Sequence, residues 1–118
     1  MCGRYTLTKP LKTIKKHFDP VTIKCKHRKR YNIAPGQNTP IITLQDDQRE
    51  LKLMHWGLVP SWAKTIKTSK ATINARSETV HQKPSFRDSF QARRCLVPAD
   101  GFIEWKVEGK KKLPILFL

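Results

Sequence analysis

Pairs of apolar segments joined by tight polar turns restrict what this chain can fold into. Residues 39–44 and 51–56 are rich in Ile, Leu and Thr, and two consecutive Asp residues lie between them. Asp favours turns because its short side chain bonds to nearby backbone, so this pattern predicts an antiparallel hairpin. Residues 101–107 and 113–118 predict a second hairpin around a Glu-Gly-Lys turn. Residues 95–98 read as a further buried strand.

Length and periodicity add short helices to these strands. Leu11, Ile14 and Phe18 share one helical face, and the lysines between them point to solvent. Two Phe residues spaced i, i+4 predict another short helix at residues 86–90. With 118 residues, of which 38% are hydrophobic, the chain should form a single domain over residues 1–118 with one modest core.

A large positive charge indicates a polyanionic partner. The sequence has 24 Lys and Arg against 9 Asp and Glu, which gives a net charge of +15 and a pI near 10.2. Such a surplus is the electrostatic signature of nucleic-acid binding. The densest basic run, residues 24–30, is interpreted either as a phosphate-contacting segment or as a solvated loop. We expect no membrane span and no signal peptide, because lysines interrupt every long apolar run.

Cysteine usage indicates a reducing compartment and no metal site. The three cysteines are an odd number, and none stands in a Cys-x-x-Cys spacing. Cys25-Lys26-His27 is too isolated to bind zinc. Together with the charge, these features favour a cytoplasmic, nucleoid-associated protein that uses no cofactor.

Cys2 is the chemically distinctive residue of the N-terminus. If Met1 is removed, Cys2 carries a free amine and a thiol on adjacent carbons. The amine can form a Schiff base with an aldehyde, and the thiol can then close a thiazolidine ring. Reference pKa values of about 8 for such an amine and about 8.5 for a thiol leave reactive fractions near neutral pH. The alternative interpretation is an incidental small residue.

Aromatic residues and cations alternate after the first predicted hairpin. Trp56 and Trp62 are followed by Lys64, Lys67 and Lys70. Stacking surfaces interleaved with cations are typical of proteins that bind single-stranded nucleic acid. The alternative is that both tryptophans belong to the core.

Polar residues within two short segments are further candidates. Glu104 lies between Ile103 and Trp105 in a predicted strand. A carboxyl group removed from water holds its proton to higher pH, as a general acid near neutrality requires. The local sequence alone favours a solvent-facing Glu paired with Lys or Arg. In the predicted extended segment 72–76, alternation puts Asn74 and Arg76 on one face.

Five sequence blocks stand in order along the whole chain, the first of them at the N-terminus. They are Met1–Tyr5, Tyr31–Pro35, Trp56–Trp62, Ile73–Thr79 and Cys95–Lys106. Together they closely resemble the SOS-response-associated peptidase (SRAP) family, the abasic-site processing proteins. Any one block is a weak signal, and the five in sequence are specific.

The resemblance implies both a fold and a reaction. It implies a compact α+β domain with a mostly antiparallel, β-barrel-like core, short helices and a positive cleft. It implies that Met1 is lost by autoprocessing, and that the exposed Cys then captures the aldehyde of an abasic site in single-stranded DNA. The product is a thiazolidine DNA–protein crosslink that shields the lesion. Autopeptidase and lyase activities accompany this chemistry.

The resemblance also assigns roles to particular residues. Cys2 is the nucleophile, Asn74 orients the cysteine and the sugar, and Glu104 is the acid/base. Arg4 and Arg76 hold phosphate, a role that suits the planar guanidinium. The apolar wall against which bases stack consists of Pro35, Trp62 and Trp105.

One departure from the family pattern concerns the C-terminal side. Members commonly run to about 200 residues, within the usual range for a domain. They carry a further His in a His-Asn-Arg-Met-Pro-like motif, which none of the four histidines here matches. We therefore expect a barrel that is incomplete on the C-terminal side and is completed by a dimer or a second chain.

Two other functions fit the same residues. A non-covalent module for single-stranded nucleic acid needs only the charge and the tryptophans, and predicts strong salt dependence without dependence on Cys2. A peptidase acting on other proteins is the weaker alternative, because Cys2 has no assigned His partner.

Overall fold

Two β-sheets and two short helices make up the part of the chain that the structure, a computed structural model, describes: residues 3–63 and 72–118. In chain order the elements are β1 (Arg4–Leu7), α1 (Leu11–Phe18), β2 (Thr22–Ile23), β3 (Arg30–Ile33), β4 (Asn38–Gln45), β5 (Gln48–His55), α2 (Arg87–Ala92), β6 (Gly101–Glu108) and β7 (Lys111–Phe117).

The strands divide into a four-stranded and a three-stranded sheet. The larger sheet has the order β3-β1-β6-β7, and each neighbouring pair is antiparallel. The smaller sheet has the order β2-β5-β4, in which the short β2 runs parallel to β5 and β4 pairs antiparallel with β5. The predicted α+β class, with mostly antiparallel strands in a partial barrel and short helices, is confirmed.

Both predicted hairpins are present and set the registers of the two sheets. Gln45 pairs with Gln48 across Asp46 and Asp47, whose φ angles of +47° and +59° are those of a type I′ turn. The turn before β7 contains Gly109 at φ +59°, where glycine meets no steric penalty. Each hairpin therefore depends on left-handed turn residues that its sequence supplies.

The core lies between the first strands and the first helix. Ile14 is the buried residue of α1, and Leu11 and Phe18 pack beside it, so the predicted apolar face of this helix is confirmed. The buried cluster takes its other members from β1, β3, β4, β5 and the residue before β2. It consists of Tyr5, Leu7, Ile14, Val21, Ile33, Ile42 and Leu51.

One predicted strand is wrong, and one predicted extended segment joins no sheet. Residues 95–98 contribute only an isolated bridge between Leu96 and Ile42, and the Leu96 side chain is exposed rather than buried. Residues 73–76 join no sheet, because pairing stops at a single bridge from Thr72 to Leu58. A run of four or five residues can have the composition of a strand, but it forms a strand only where a partner strand pairs with it.

Candidate functional site

The pairing of β1 with β6 organises the predicted site residues. Arg4 pairs with Ile103, and Tyr5 pairs with Phe102. Side chains alternate along a strand, so Glu104 belongs to the face that carries Tyr5 and Phe102. Trp105 belongs to the opposite face, with Arg4, and its side chain is 48% exposed. The two predicted residues of β6 therefore serve opposite faces of one sheet.

Arg4 is held in place by a residue of the neighbouring strand. Its guanidinium Nη1 donates a hydrogen bond of 2.8 Å to Oδ1 of Asn32, on β3. The fixed fork of a guanidinium keeps its remaining N–H groups aimed in a defined direction when one is tied down. Asn32 lies within one of the five sequence blocks, yet sequence reasoning gave it no role.

Asp100 fixes β1 against the start of β6, and sequence reasoning did not find it. Its carboxylate accepts hydrogen bonds from Thr6 Oγ1 at 2.6 Å, from Thr8 N and Oγ1 at 2.5 and 2.8 Å, and from Lys9 N at 3.0 Å. Asp100 N donates in return to the Thr6 carbonyl at 3.0 Å. Partial burial acts to raise the pKa of Asp100, but these donors outweigh it and lower the pKa to about 2.

Close packing around Gly101 tightens the same seam between β1 and β6. A Cβ atom at this position would come within 2.8 Å of the Phe117 carbonyl oxygen and within 2.9 Å of Thr6 Oγ1. Contacts that short force a shift of backbone, which is why the site requires glycine. The start of the chain is thus registered on β6 by both hydrogen bonds and shape.

Asn74 and Arg76 are exposed and lie outside the sheets. Neither side chain forms a hydrogen bond or an ion pair with any part of residues 3–63 or 72–118. The shared face predicted for them rests on alternation along an extended segment, and residues 73–76 join no sheet. The structure therefore leaves both side chains accessible without bringing them onto β1 or β6.

The tryptophans occupy different environments. Trp62 is 62% exposed, so the core alternative is wrong for this residue. Trp56 packs against the core, with its ring centroid 5.3 Å from that of Tyr5. Pro35 is half-buried in the turn after β3, which Gly36 N ties to the Trp56 carbonyl at 2.8 Å. Trp62 is the residue of this region that can stack on a base.

An apolar cavity of about 890 Å³ opens beside the smaller sheet. None of the predicted site residues that the structure describes lines it, although Tyr5 and Phe102 place it on the same face of the larger sheet as Glu104. The wall is formed by Tyr5, Thr39, Ile41, Met54, His55, Trp56, Gly57, Leu58, Val59, Arg93, Cys95, Val97, Ala99 and Phe102.

The surroundings of Cys25 and Cys95 limit the reactivity of both thiols. Desolvation raises the pKa of both Cys25 and Cys95, which lowers their thiolate fraction near neutral pH. The predicted nucleophile, Cys2, lies outside the described residues, as do Lys64, Lys67 and Lys70.

Among residues 3–63 and 72–118, no helix has the length and apolarity needed to cross a membrane. No group of three His, Cys, Asp or Glu side chains there is arranged to hold a metal ion.

The fold and the sequence blocks define the class of this protein. The family model for the SOS response associated peptidases (SRAP) matches residues 1–118, and the chain belongs to that family. The abasic site processing protein YoaM of Bacillus subtilis is 41% identical over 118 residues, which are 98% of this chain and 52% of that protein. The abasic site processing protein YedK of Escherichia coli is 38% identical over 85 residues.

Solved structures give the same result for the fold. A protein from Bacteroides thetaiotaomicron superposes with a TM-score of 0.78 and 30% identity, over 96% of this chain and 52% of that one. A protein from Bordetella bronchiseptica gives a TM-score of 0.77 and 28% identity, over 96% and 55%. The chain thus spans about half the length of the Bacillus subtilis and Bacteroides thetaiotaomicron relatives.

Proposed function

We propose that this chain captures abasic sites in single-stranded DNA as a covalent adduct of Cys2, after hydrolytic removal of Met1. The observation that carries the proposal is the register of β1 on β6, which pairs Arg4 with Ile103 and so brings the amino end of β1 alongside the part of β6 that contains Glu104 and Trp105. Cys2 precedes Arg4 by two residues, or at most about 8 Å of chain. Several relatives are named as abasic site processing proteins.

The proposed reaction balances without a cofactor. Hydrolysis of the Met1–Cys2 peptide bond consumes one water and frees the Cys2 amine. The amine adds to the C1′ aldehyde of the ring-opened deoxyribose, and loss of water gives the imine. The Cys2 thiolate then adds to the imine carbon, which forms the C–S bond and closes the thiazolidine ring while the nitrogen takes a proton.

Each remaining site residue has a role in this scheme. Glu104 donates and accepts the protons for sugar ring opening and for loss of water. Asn74 orients the amine and the sugar, and Arg4 and Arg76 bind the flanking phosphates. The tether from Asn32 supports the role of Arg4, because it fixes the guanidinium before DNA arrives. Pro35, Trp62 and Trp105 form the apolar wall for neighbouring bases.

Denaturing electrophoresis with a single-stranded oligonucleotide that carries one abasic site tests the proposal. The wild-type chain should give a shifted, denaturation-resistant band, and the band should vanish in Cys2→Ala. Cys95→Ala is the matched control and should crosslink like wild type, because desolvation keeps that thiol protonated. Intact mass should show loss of Met1. A Cys2→Ala band as strong as that of wild type contradicts the proposal.

Glu104→Gln tests the proton-transfer role without changing side-chain volume. General acid–base catalysis contributes about 10²–10⁴-fold, so crosslinking should slow by at least the lower figure. Glu108→Gln is the control on the same strand, since Glu108 is exposed and paired with Lys106 at 2.6 Å. Equal rates for the two variants would remove Glu104 from the mechanism.

A non-covalent module for single-stranded nucleic acid is the second candidate function. The exposed Trp62 and the net charge of +15 favour it, because stacking and backbone neutralisation need no nucleophile. It predicts binding that weakens steeply with salt and is unchanged in Cys2→Ala. Tight binding without any covalent band would select this function.

The exposed face of β7 forms an open side of the partial barrel. All of β7 is exposed, and the apolar cavity lies on the same side of the larger sheet as Phe102 and Phe117. Relatives have about as much chain again outside the match. We propose that polypeptide equivalent to that unmatched part covers this face and pairs with the free edge of β7.

A binding experiment with a separately produced polypeptide tests whether this face is covered. The unmatched half of the Bacillus relative, produced separately, should bind the 118-residue chain and lower its fluorescence with a hydrophobic dye. A monomer at low concentration that binds neither the dye nor the added half contradicts the proposal that this face is covered. A dimer that excludes the dye shows that a second copy of the chain covers it.

A further inference from the structure

Positive charge is concentrated in one stretch rather than spread over the chain. Residues 9–30 contain nine Lys and Arg and a single Asp, so this stretch supplies eight of the fifteen net positive charges. A like-charged cluster destabilises a compact protein through self-repulsion, so a cluster this dense is better explained by a partner than by folding.

The structure brings the helix and the basic run of that stretch together. Ile14 turns one side of α1 to the core, and the lysines of the helix lie on its exposed side. The segment from Lys24 to Arg30 lies beside the helix, because His27 Nε2 is 3.2 Å from the Lys9 carbonyl. Cys25 packs on the same buried cluster as the helix. We call this surface, residues 9–30, the basic face.

Neutralising partners on the basic face are few. Lys24 forms an ion pair with Glu50. Within residues 3–63 and 72–118, the other Lys and Arg residues of the stretch form no ion pair. The exposed ones are Lys9, Lys12, Lys15, Lys16, Lys26, Arg28 and Lys29.

We propose that the basic face is a second DNA-contact surface, which binds phosphodiester backbone several nucleotides away from the captured lesion. The proposal extends the function proposed above, since it adds a backbone-binding surface to the lesion site. Apart from cations the face offers no exposed Trp or Tyr, whose rings would stack on bases. It therefore contacts phosphates and carries no base preference.

β1 sets the distance between the two surfaces. Arg4 begins this strand, and Leu7 ends it opposite Arg30, the last residue of the basic face. Three residue steps of about 3.3 Å separate the ends by about 10 Å. A DNA strand rises about 3.4 Å per nucleotide, so about three nucleotides span that distance. DNA bound beside Arg4 can reach the basic face only if it extends that far.

Two triple variants with equal charge loss test this surface. Lys12→Gln, Lys15→Gln and Lys16→Gln together remove three charges from the basic face, and glutamine keeps the helix propensity of lysine. Lys110→Gln, Lys111→Gln and Lys112→Gln remove three exposed charges at the distant β6–β7 turn. Melting curves should confirm that both variants fold.

The measurement is equilibrium binding of labelled, undamaged oligonucleotides by fluorescence anisotropy over a salt series. For an oligonucleotide of roughly 16 nucleotides, the helix variant should lower the slope of log K against log salt by about 2. The turn variant should change it by much less. For an oligonucleotide of roughly 4 nucleotides, the helix variant should lose much less slope, because a strand bound beside Arg4 uses about three nucleotides to span the distance and has almost none left to lie on the face.

The proposal is overturned if the two variants lose equal slope, or if the helix variant loses as much slope on short oligonucleotides as on long ones. Either result means that DNA binding depends on the net charge of the whole protein rather than on the basic face. If duplex DNA lies on the basic face, the helix variant should lower the slope of log K against log salt by nearly 3. If single-stranded DNA lies there, the slope should fall by about 2, so oligonucleotides of the two kinds distinguish duplex from single-stranded DNA on the face. Because the DNA is undamaged, failure of Cys2 crosslinking leaves this result unaffected, and the two proposals fail independently.

Discussion

Apolar residues are buried in the first half of the chain and exposed in its last hairpin. Among the described residues, every buried hydrophobic side chain of the core lies between Tyr5 and Leu51. In β7 every residue is exposed, including Leu116 at 50% and Phe117 at 46%. Both regions have strand-like sequences, so the difference comes from what packs against them. The early region has its own core, and the late hairpin leaves the apolar side chains of β7 exposed.

Truncating one leucine in each region should sharpen this comparison most. Leu51→Ala opens a cavity in a fully buried site and should lower the free energy of unfolding by about 2–5 kcal/mol. Leu116→Ala, the same change on β7, should cost well under 1 kcal/mol because half of the side chain already meets water. Urea unfolding of both variants measures the difference, and equal losses would mean that β7 is covered in solution.

Asp100 joins the two regions and should give the next largest effect. Asp100→Asn removes a carboxylate that accepts hydrogen bonds from Thr6, Thr8 and Lys9, at a cost of about 2 kcal/mol near neutral pH. Asp88→Asn, at an exposed ion pair on α2, is the control and should be nearly neutral.

The pH dependence of stability follows from the same carboxylate. The pKa of Asp100 is about 2 in the folded protein and about 3.9 when unfolded, so the unfolded chain takes up the proton first as pH falls. Its contribution is therefore complete above about pH 4 and is lost as the pH falls toward 2. Asp100→Asn should show a flatter decline in that window. A wild-type profile in the variant would remove Asp100 from this role.

Tyr5→Phe should give a smaller effect than Asp100→Asn. The Tyr5 hydroxyl forms a buried hydrogen bond with Thr39, which joins the larger sheet to the smaller one. Burial raises the pKa of Tyr5 and this hydrogen bond opposes the rise, so the group stays a neutral hydroxyl across the working range. Its removal should cost about 1 kcal/mol. Tyr31→Phe is the matched exposed control, and a cost as large there would contradict the assignment.

Local patterns predicted the elements that their own residues determine. The two Asp residues at positive φ predicted the first hairpin, and the spacing of Leu11, Ile14 and Phe18 predicted α1. By contrast, β1 escaped prediction, since four mixed residues carry no periodic signal and the strand depends on distant β3 and β6. Residues 95–98 failed for the converse reason, because an apolar run found no partner strand.

The candidate site shows the same limit. Arg4, Glu104 and Trp105 were identified through a family pattern, and the structure places them on adjacent strands. Asn32 and Asp100 were missed because their roles arise from contacts across 28 and more than 90 positions of sequence. No local composition marks such a residue. Long-range contacts of this kind need the fold before they can be read.

The order of synthesis gives one consequence of the seam between β1 and β6. Thr6 and Asp100 are 94 positions apart, so β1 is synthesised early but can pair with β6 only much later. At about 5–20 residues per second, its β6 partner leaves the ribosome's active centre about 5–20 s after it. During that interval β1 has only β3 beside it. The amino end of a nascent chain therefore meets β6 only after residues 101–108 have been made.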